Sequence, residues 1–227
     1  MTESSTPRAR PRLKVCCIAS VEEAQLAINH GADAIGLVSS MPSGPGVIPD
    51  HRIGEIAARI PPGVSTFLLT SSTNVDHIVG QQKSCGVNTI QLCDELPPRH
   101  IHDLRQALPG IAVVQVVHVM DEAAVSAAQA AATAAHALLL DSGNTAKPIK
   151  ELGGTGRTHD WSVSRRIREA VEIPIFLAGG LTPDNVAEAV RQVRPFGIDV
   201  CSGLRTDNRL DARKLRLFVQ ALTSPIP

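Results

Sequence analysis

The apolar positions of this 227-residue chain fall into short, nearly continuous runs, separated by stretches in which apolar residues recur at helical spacing. Leu13 to Ile18, Ala32 to Val38, Val64 to Leu69, Thr89 to Leu92, Ile111 to Val119, Ala137 to Asp141, Ile173 to Leu177 and Ile198 to Cys201 read as strands. A run that is apolar on both faces suits a parallel strand covered on each side. Between these runs the spacing predicts helices from Ala24 to Asn29, Pro49 to Arg59, Asn74 to Lys83, Pro98 to Leu108, Asp121 to Thr133, Asp160 to Val171, Pro183 to Arg194 and Asp211 to Leu222. Ser20 with Glu23 reads as a capping box for the first helix, and Thr182-Pro183 as the N-cap and first residue of the seventh. Strict strand–helix alternation without a hairpin signal calls for right-handed crossovers between parallel strands. Some eight such units predict an α/β fold, a (β/α)8 barrel of one domain over residues 13–223, behind a polar tail at 1–12. The alternative is an open doubly wound sheet, which here lacks a GxGxxG turn after the first strand.

Composition narrows the ligand. The 22 Lys+Arg balance 22 Asp+Glu, so no global basic field invites nucleic acid. With no tyrosine, one tryptophan and 2% aromatics, stacking platforms for single strands are missing too, which favours a small molecule. The five dispersed cysteines suit reduced thiols in a cytoplasmic protein, and neither they nor the scattered histidines show metal-ligand spacing. No run approaches the roughly 20 apolar residues of a membrane span, and Met1 to Pro11 has no apolar core of a secretory signal. The expectation is a soluble protein without metal or cofactor.

In a barrel the chemistry gathers at the C-terminal ends of the strands. The first strand carries Lys14, Cys16 and Ile18 at a spacing of two, which places an amine and a thiol on one face. Cys16 is either a small buried thiol or a thiolate base or nucleophile. The sixth strand ends in Asp141, a general acid or base, or the cap of an Asx turn. Glycine-rich turns follow at Gly153-Gly-Thr-Gly156, at Gly179-Gly180 and at Ser202-Gly203. Under barrel topology the three converge, so Gly154, Thr155, Gly156, Gly179, Gly180, Ser202 and Gly203 are candidates for holding a phosphate through backbone N–H groups.

These residues resemble a known family. Lys14-Val-Cys-Cys-Ile-Ala19 is similar to the opening Lys-Ile-Cys-Gly-Ile-Thr of the phosphoribosylanthranilate isomerases of tryptophan biosynthesis. Gly31-Ala-Asp-Ala-Ile-Gly36, Gly153-Gly-Thr-Gly-Arg-Thr-His-Asp-Trp161, Ala178-Gly-Gly-Leu-Thr-Pro-Asp-Asn-Val186 and Arg194-Pro-Phe-Gly-Ile-Asp-Val-Cys-Ser-Gly203 resemble its later motifs. The resemblance implies a TIM barrel, monomeric or homodimeric, that converts a phosphorylated aminoaldose into an aminoketose by an Amadori rearrangement. It further implies Asp141 as the acid that opens the furanose ring, Cys16 as the base that removes the C2 proton, and Lys14 and Asp199 as substrate contacts.

Departures from the family pattern concern the substrate's other end. The family's second loop carries an arginine for the anthranilate carboxylate, whereas Ser43-Gly-Pro-Gly-Val-Ile48 has no cation. Arg205 and Arg52 are the candidates to replace it. The family's Gln-Leu-His-Gly becomes Gln91-Leu-Cys-Asp94, its first-motif glycine becomes Cys17, and Ser-Gly-Val-Glu becomes Ser202-Gly-Leu-Arg205. An altered substrate, a lyase or aldolase working through Lys14, and a non-catalytic phosphate-ligand-binding paralogue are therefore the competing readings.

Overall fold

The computed structural model describes residues 10–144, 147–154 and 156–223. Eight parallel strands, β1 (Arg12–Val15), β2 (Ala34–Val38), β3 (Ser65–Thr70), β4 (Thr89–Leu92), β5 (Ala112–His118), β6 (Ala137–Asp141), β7 (Ile175–Leu177) and β8 (Gly197–Val200), pair in chain order, and β8 closes on β1. Each is followed by one helix: α1 (Val21–Asn29), α2 (Asp50–Ala57), α3 (Val75–Cys85), α4 (Pro98–Ala107), α5 (Ala123–Ala132), α6 (Trp161–Ala170), α7 (Val186–Val193) and α8 (Ala212–Thr223). The sheet is the expected (β/α)8 barrel and not an open one. No helix among the described residues is long and apolar enough to cross a membrane.

Period-2 alternation divides the strand residues between two apolar layers. In β6, Leu138 and Leu140 pack outward with Ile53, Ile167 and Phe218 of the helices, while Leu139 faces the interior with Phe67, Val116 and Phe176. Both faces are thus dry, which is why the strands read as unbroken apolar runs. The same alternation turns Asp141 inward above Leu139. Inside the barrel the Phe67 and Phe176 rings meet edge to face at 5.9 Å, and a Cβ on Gly197 would lie 2.5 Å from the Phe176 ring.

The structure departs from the sequence expectation at four places. β1 starts at Arg12, inside the stretch assigned to the tail, and Arg10 is tied down by Asp33 at 3.0 Å. At its other end β1 stops at Val15, because Cys17 takes a left-handed φ of 61°. Ile18 consequently joins the outer layer and does not share a face with Lys14 and Cys16. Helix α7 begins at Val186, later than Pro183, because the Asn185 side chain holds the preceding turn. Its Oδ1 accepts from Thr182 N–H at 2.8 Å, and its Nδ2 donates to the Gly180 carbonyl at 3.0 Å. Lastly, a small hairpin, β9 (Arg205–Thr206) with β10 (Arg209–Leu210), turns on Asp207 and Asn208 at φ 49° and 61°, the left-handed pair a two-residue hairpin requires.

Candidate active site

The register of the closing strands builds the centre of the site. Lys14 of β1 is the Cα partner of Asp199 of β8, and in a parallel ladder both side chains point the same way, here inward. Their ion pair spans 2.8 Å with Lys14 wholly buried. Burial by itself lowers the amine's pKa, but the opposing charges of Asp199 and Cys16 outweigh it and hold Lys14 above its ordinary value, so it stays an ammonium. The charge also sits 5.1 Å from the centre of the Phe67 ring. Breaking such a buried pair by removing one partner costs about 3–5 kcal/mol. Cys16, two residues beyond Lys14, lies on the same face. Space for both comes from β2, where a Cβ on Gly36 would lie 2.8 Å from Cys16 Sγ and 3.1 Å from Lys14 Nζ.

Asp141 sits at the inner rim of β6. Burial raises its pKa, partly offset by the Ser142 N–H that donates to Oδ1 at 2.7 Å and by nearby His118. A carboxyl so placed keeps its proton to higher pH than an exposed one, the property a general acid needs. Two glycines fit around it: a Cβ on Gly153 would lie 2.6 Å from Oδ2, and one on Gly179 would lie 3.2 Å from Oδ1. His118, which sequence reading missed, is the Cα partner of Asp141 on β5. Its Nε2 donates to the Cys93 carbonyl at 3.0 Å, so the histidine that ends β5 is anchored on the first residue past β4. The signal was its period-2 spacing with the interior residues Val114 and Val116. Cys93 is buried, which pushes its thiol upward and leaves it protonated.

The predicted phosphate turns converge. Asp141, Gly154, Gly156, Gly179, Gly180, Asp199 and Ser202 line one cleft at the ends of β6, β7 and β8. Gly154, Gly156, Gly179 and Gly180 have φ of 67°, 69°, 85° and 59°, left-handed values that expose successive N–H groups at little steric cost to glycine. The β6 and β7 turns are stacked backbone on backbone: a Cβ on Gly180 would lie 2.5 Å from the carbonyl carbon of Arg157. Within the β6 turn, Ser142 Oγ donates to the Arg157 carbonyl at 2.5 Å. Gly203 is not among the cleft-lining residues; a Cβ there would run into the Leu181 carbonyl, so its smallness serves packing. Thr155 lies outside the described residues.

Neither arginine offered for the missing loop cation serves. Arg205 donates to the Cys16 carbonyl at 3.3 Å, to the Cys17 carbonyl, and to Glu23 Oε1 at 3.2 Å, so it organises the turn after β1. Glu23 does double duty there, accepting also from Ala19 N–H at 3.1 Å and Leu210 N–H at 2.9 Å. Arg52 pairs with Glu55 on the outer surface of α2. A different cation reaches the rim: Lys150, bound through Nζ to Asp94 at 2.6 Å just past β4. Its backbone carbonyl accepts from Ser43 Oγ at 2.6 Å, which anchors it against the cation-free loop. Among the described residues no group of three or more His, Cys, Asp or Glu side chains could hold a metal ion.

Comparison with known proteins agrees with this geometry. The family model described as N-(5'phosphoribosyl)anthranilate (PRA) isomerase matches residues 13–221. The chain is 38% identical to N-(5'-phosphoribosyl)anthranilate isomerase 2 of Methanosarcina mazei, covering 92% of each chain. It is 37% identical to the corresponding isomerase of Haloferax volcanii, again over 92% of each. Among solved structures, phosphoribosyl anthranilate isomerase of Thermotoga maritima superposes with a TM-score of 0.82 at 27% identity, covering 95% of this chain and 100% of the other. A phosphoribosyl anthranilate isomerase in complex with reduced 1-(o-carboxyphenylamino)-1-deoxyribulose 5-phosphate does so at 0.79 and 26% identity, with 95% and 100% covered. A barrel closed in this register, an inward Lys14–Cys16 strand and a match across nearly the whole barrel lead to one conclusion: the chain belongs to the N-(5'-phosphoribosyl)anthranilate isomerase family.

Proposed function

We propose that the protein isomerises N-(5'-phosphoribosyl)anthranilate to the corresponding 1-amino-1-deoxyribulose phosphate in the cytoplasm. Its 5'-phosphate sits on the N–H groups of the turns at Gly154, Gly156, Gly179, Gly180 and Ser202. Asp141 gives its proton to the furanose ring oxygen, the ring C1–O bond breaks, and the nitrogen lone pair forms the C1=N bond of a Schiff base. The Cys16 thiolate then takes the C2 proton, and the electron pair left behind moves to C1–C2 as the iminium collapses to an aminoenol. Ketonisation at C2 completes the rearrangement. The observation that carries this reading is the raised acid, Asp141, on the wall of the same cleft as the glycine turns, with Cys16 on the interior face beside Lys14.

The buried ammonium weighs against the lyase reading. Lys14 is fully buried, paired with Asp199 and held in its protonated form, so it has no lone pair to offer a carbonyl. At the aromatic end, Lys150 is the cation in reach of the loop at Ser43 to Ile48, and it takes the substrate carboxylate in place of Asp94. Lys150 is about half exposed, with a side-chain exposure of 47%, so solvent screening holds the contact to about 0.5–1 kcal/mol. Lys150→Met is therefore expected to raise KM roughly two- to fivefold with kcat little changed, since the group binds ground state and transition state alike. A steady-state assay reads this, and an unchanged KM refutes the role. The function as a whole is tested by growth of a tryptophan-requiring strain that lacks the isomerase. The chain is expected to restore growth, and failure of a well-expressed chain to do so contradicts the reading.

A further inference from the structure

Cys17 and Cys201 face each other across the seam where the barrel closes. Their sulfurs are 2.8 Å apart. Val15 pairs with Val200, and Cys16 N–H donates to the Val200 carbonyl at 2.9 Å, so Cys201 is the first residue beyond β8 and Cys17 the second beyond β1. Cys17 is held in place from behind. Its backbone is left-handed at φ 61°, its carbonyl is gripped by Arg205, and a Cβ on Gly46 of the loop after β2 would lie 2.5 Å from Cys17 Cβ. Bond formation needs the sulfurs to close by less than about 1 Å.

We infer that Cys17 and Cys201 form a reversible disulfide on exposure to peroxide and that this bond switches the adjacent active site off. The two thiols are unequal in the way a sensor pair requires. Cys201 is only partly buried, and the hydrogen bond it shares with Cys17, helped by the Arg205 charge, lowers its pKa. Cys17 is buried and, through its hydrogen bonds to Cys16 and Cys201, raised. The Cys201 thiolate attacks one peroxide oxygen; the O–O bond breaks and one water leaves, with a sulfenic acid on Cys201. The Cys17 sulfur then attacks the Cys201 sulfur, the S–O bond breaks, and the hydroxyl departs with the Cys17 proton as a second water. Two thiols lose two electrons and two protons, and the peroxide takes them up.

Position gives the bond its effect. Cys17 follows Cys16 directly, while Cys201 precedes Ser202 and itself lines the cleft. A cross-link therefore draws the turn that carries the proposed base toward the turn that carries the phosphate, and it removes the Cys17 thiol hydrogen.

The test exposes the full chain to hydrogen peroxide, blocks remaining thiols by alkylation, maps cross-linked peptides by mass spectrometry, and measures isomerase turnover before and after dithiothreitol. The expected result is one Cys17–Cys201 cross-link, a fall in turnover of at least tenfold, and recovery on reduction. Cys17→Gly, which places the residue best suited to a left-handed φ at that position, and Cys201→Ser are each expected to form no cross-link and to show no loss that dithiothreitol reverses. A cross-link that includes Cys16, oxidation of Cys16 without any cross-link, or a Cys17–Cys201 bond with undiminished turnover overturns the inference. Peptide mapping does not depend on catalysis, so an absent bond and an absent isomerase activity are separate outcomes.

Discussion

Cys16→Ser is expected to reduce kcat/KM by about 10²–10⁴-fold, the usual contribution of a positioned base, equivalent to roughly 3–5.5 kcal/mol of transition-state stabilisation. The substitution keeps the size and position of the group on the inner face of β1, where Gly36 leaves room for the sulfur and for Lys14. What it removes is acidity, because a serine hydroxyl does not ionise in the range where a thiol does. Phosphate-ligand affinity should stay within a few-fold of the parent, since the turns proposed to bind it belong to β6, β7 and β8. Loss of binding together with turnover would show that Cys16 supports the cleft and does not perform the chemistry. Equilibrium binding of a substrate-product analogue beside steady-state kinetics separates the two.

Asp141→Asn carries the second large effect, a loss of similar size in kcat/KM with the fold intact. The amide oxygen can still accept the Ser142 N–H that now donates to Oδ1 at 2.7 Å, so the turn keeps its hydrogen bond while the donated proton is gone. Stability should move the other way. Burial raises the pKa of Asp141, which means the folded state holds its proton more tightly than the unfolded chain does. Its stabilising contribution is complete below the unfolded pKa and is lost as pH rises through the folded one, so above that folded pKa the ionised carboxylate is a liability that asparagine removes. A melting temperature equal to or above the parent's, in a variant almost without turnover, is the expected pair of results. A marked drop in melting temperature would mean that Asp141 is chiefly structural. In the parent enzyme the proposed role of Asp141 predicts an alkaline limb, with kcat/KM expected to fall as pH rises through the acid's pKa.

The barrel was legible because it is dry on both faces. Ala137 to Asp141 is found with the bounds its apolar run suggested, and the carboxylate that ends the run is the group at the rim. Positions set by backbone conformation were not legible. Nothing in Cys16-Cys17-Ile18 announces that Cys17 turns left-handed and throws Ile18 outward, and the pattern after Gly180 hid the side-chain clamp by Asn185. Long-range partnerships were hidden for a different reason. Lys14 and Asp199 stand 185 positions apart, and only closure of β8 on β1 makes them an ion pair. The same closure brings Cys17 to Cys201. The cation of the aromatic end was sought in helix α2 and in Arg205, whereas the structure ties Lys150 against Ser43 through a backbone contact that no spacing rule encodes.

The central claim is that this chain performs the family's rearrangement with Cys16 and Asp141. The most direct measurement is turnover of N-(5'-phosphoribosyl)anthranilate by the purified protein, with the product identified as the aminoketose phosphate, run beside Cys16→Ser and Asp141→Asn. The parent chain is expected to isomerise the substrate cleanly, and either variant almost not at all. No product from the folded parent, or undiminished product from both variants, would contradict the claim.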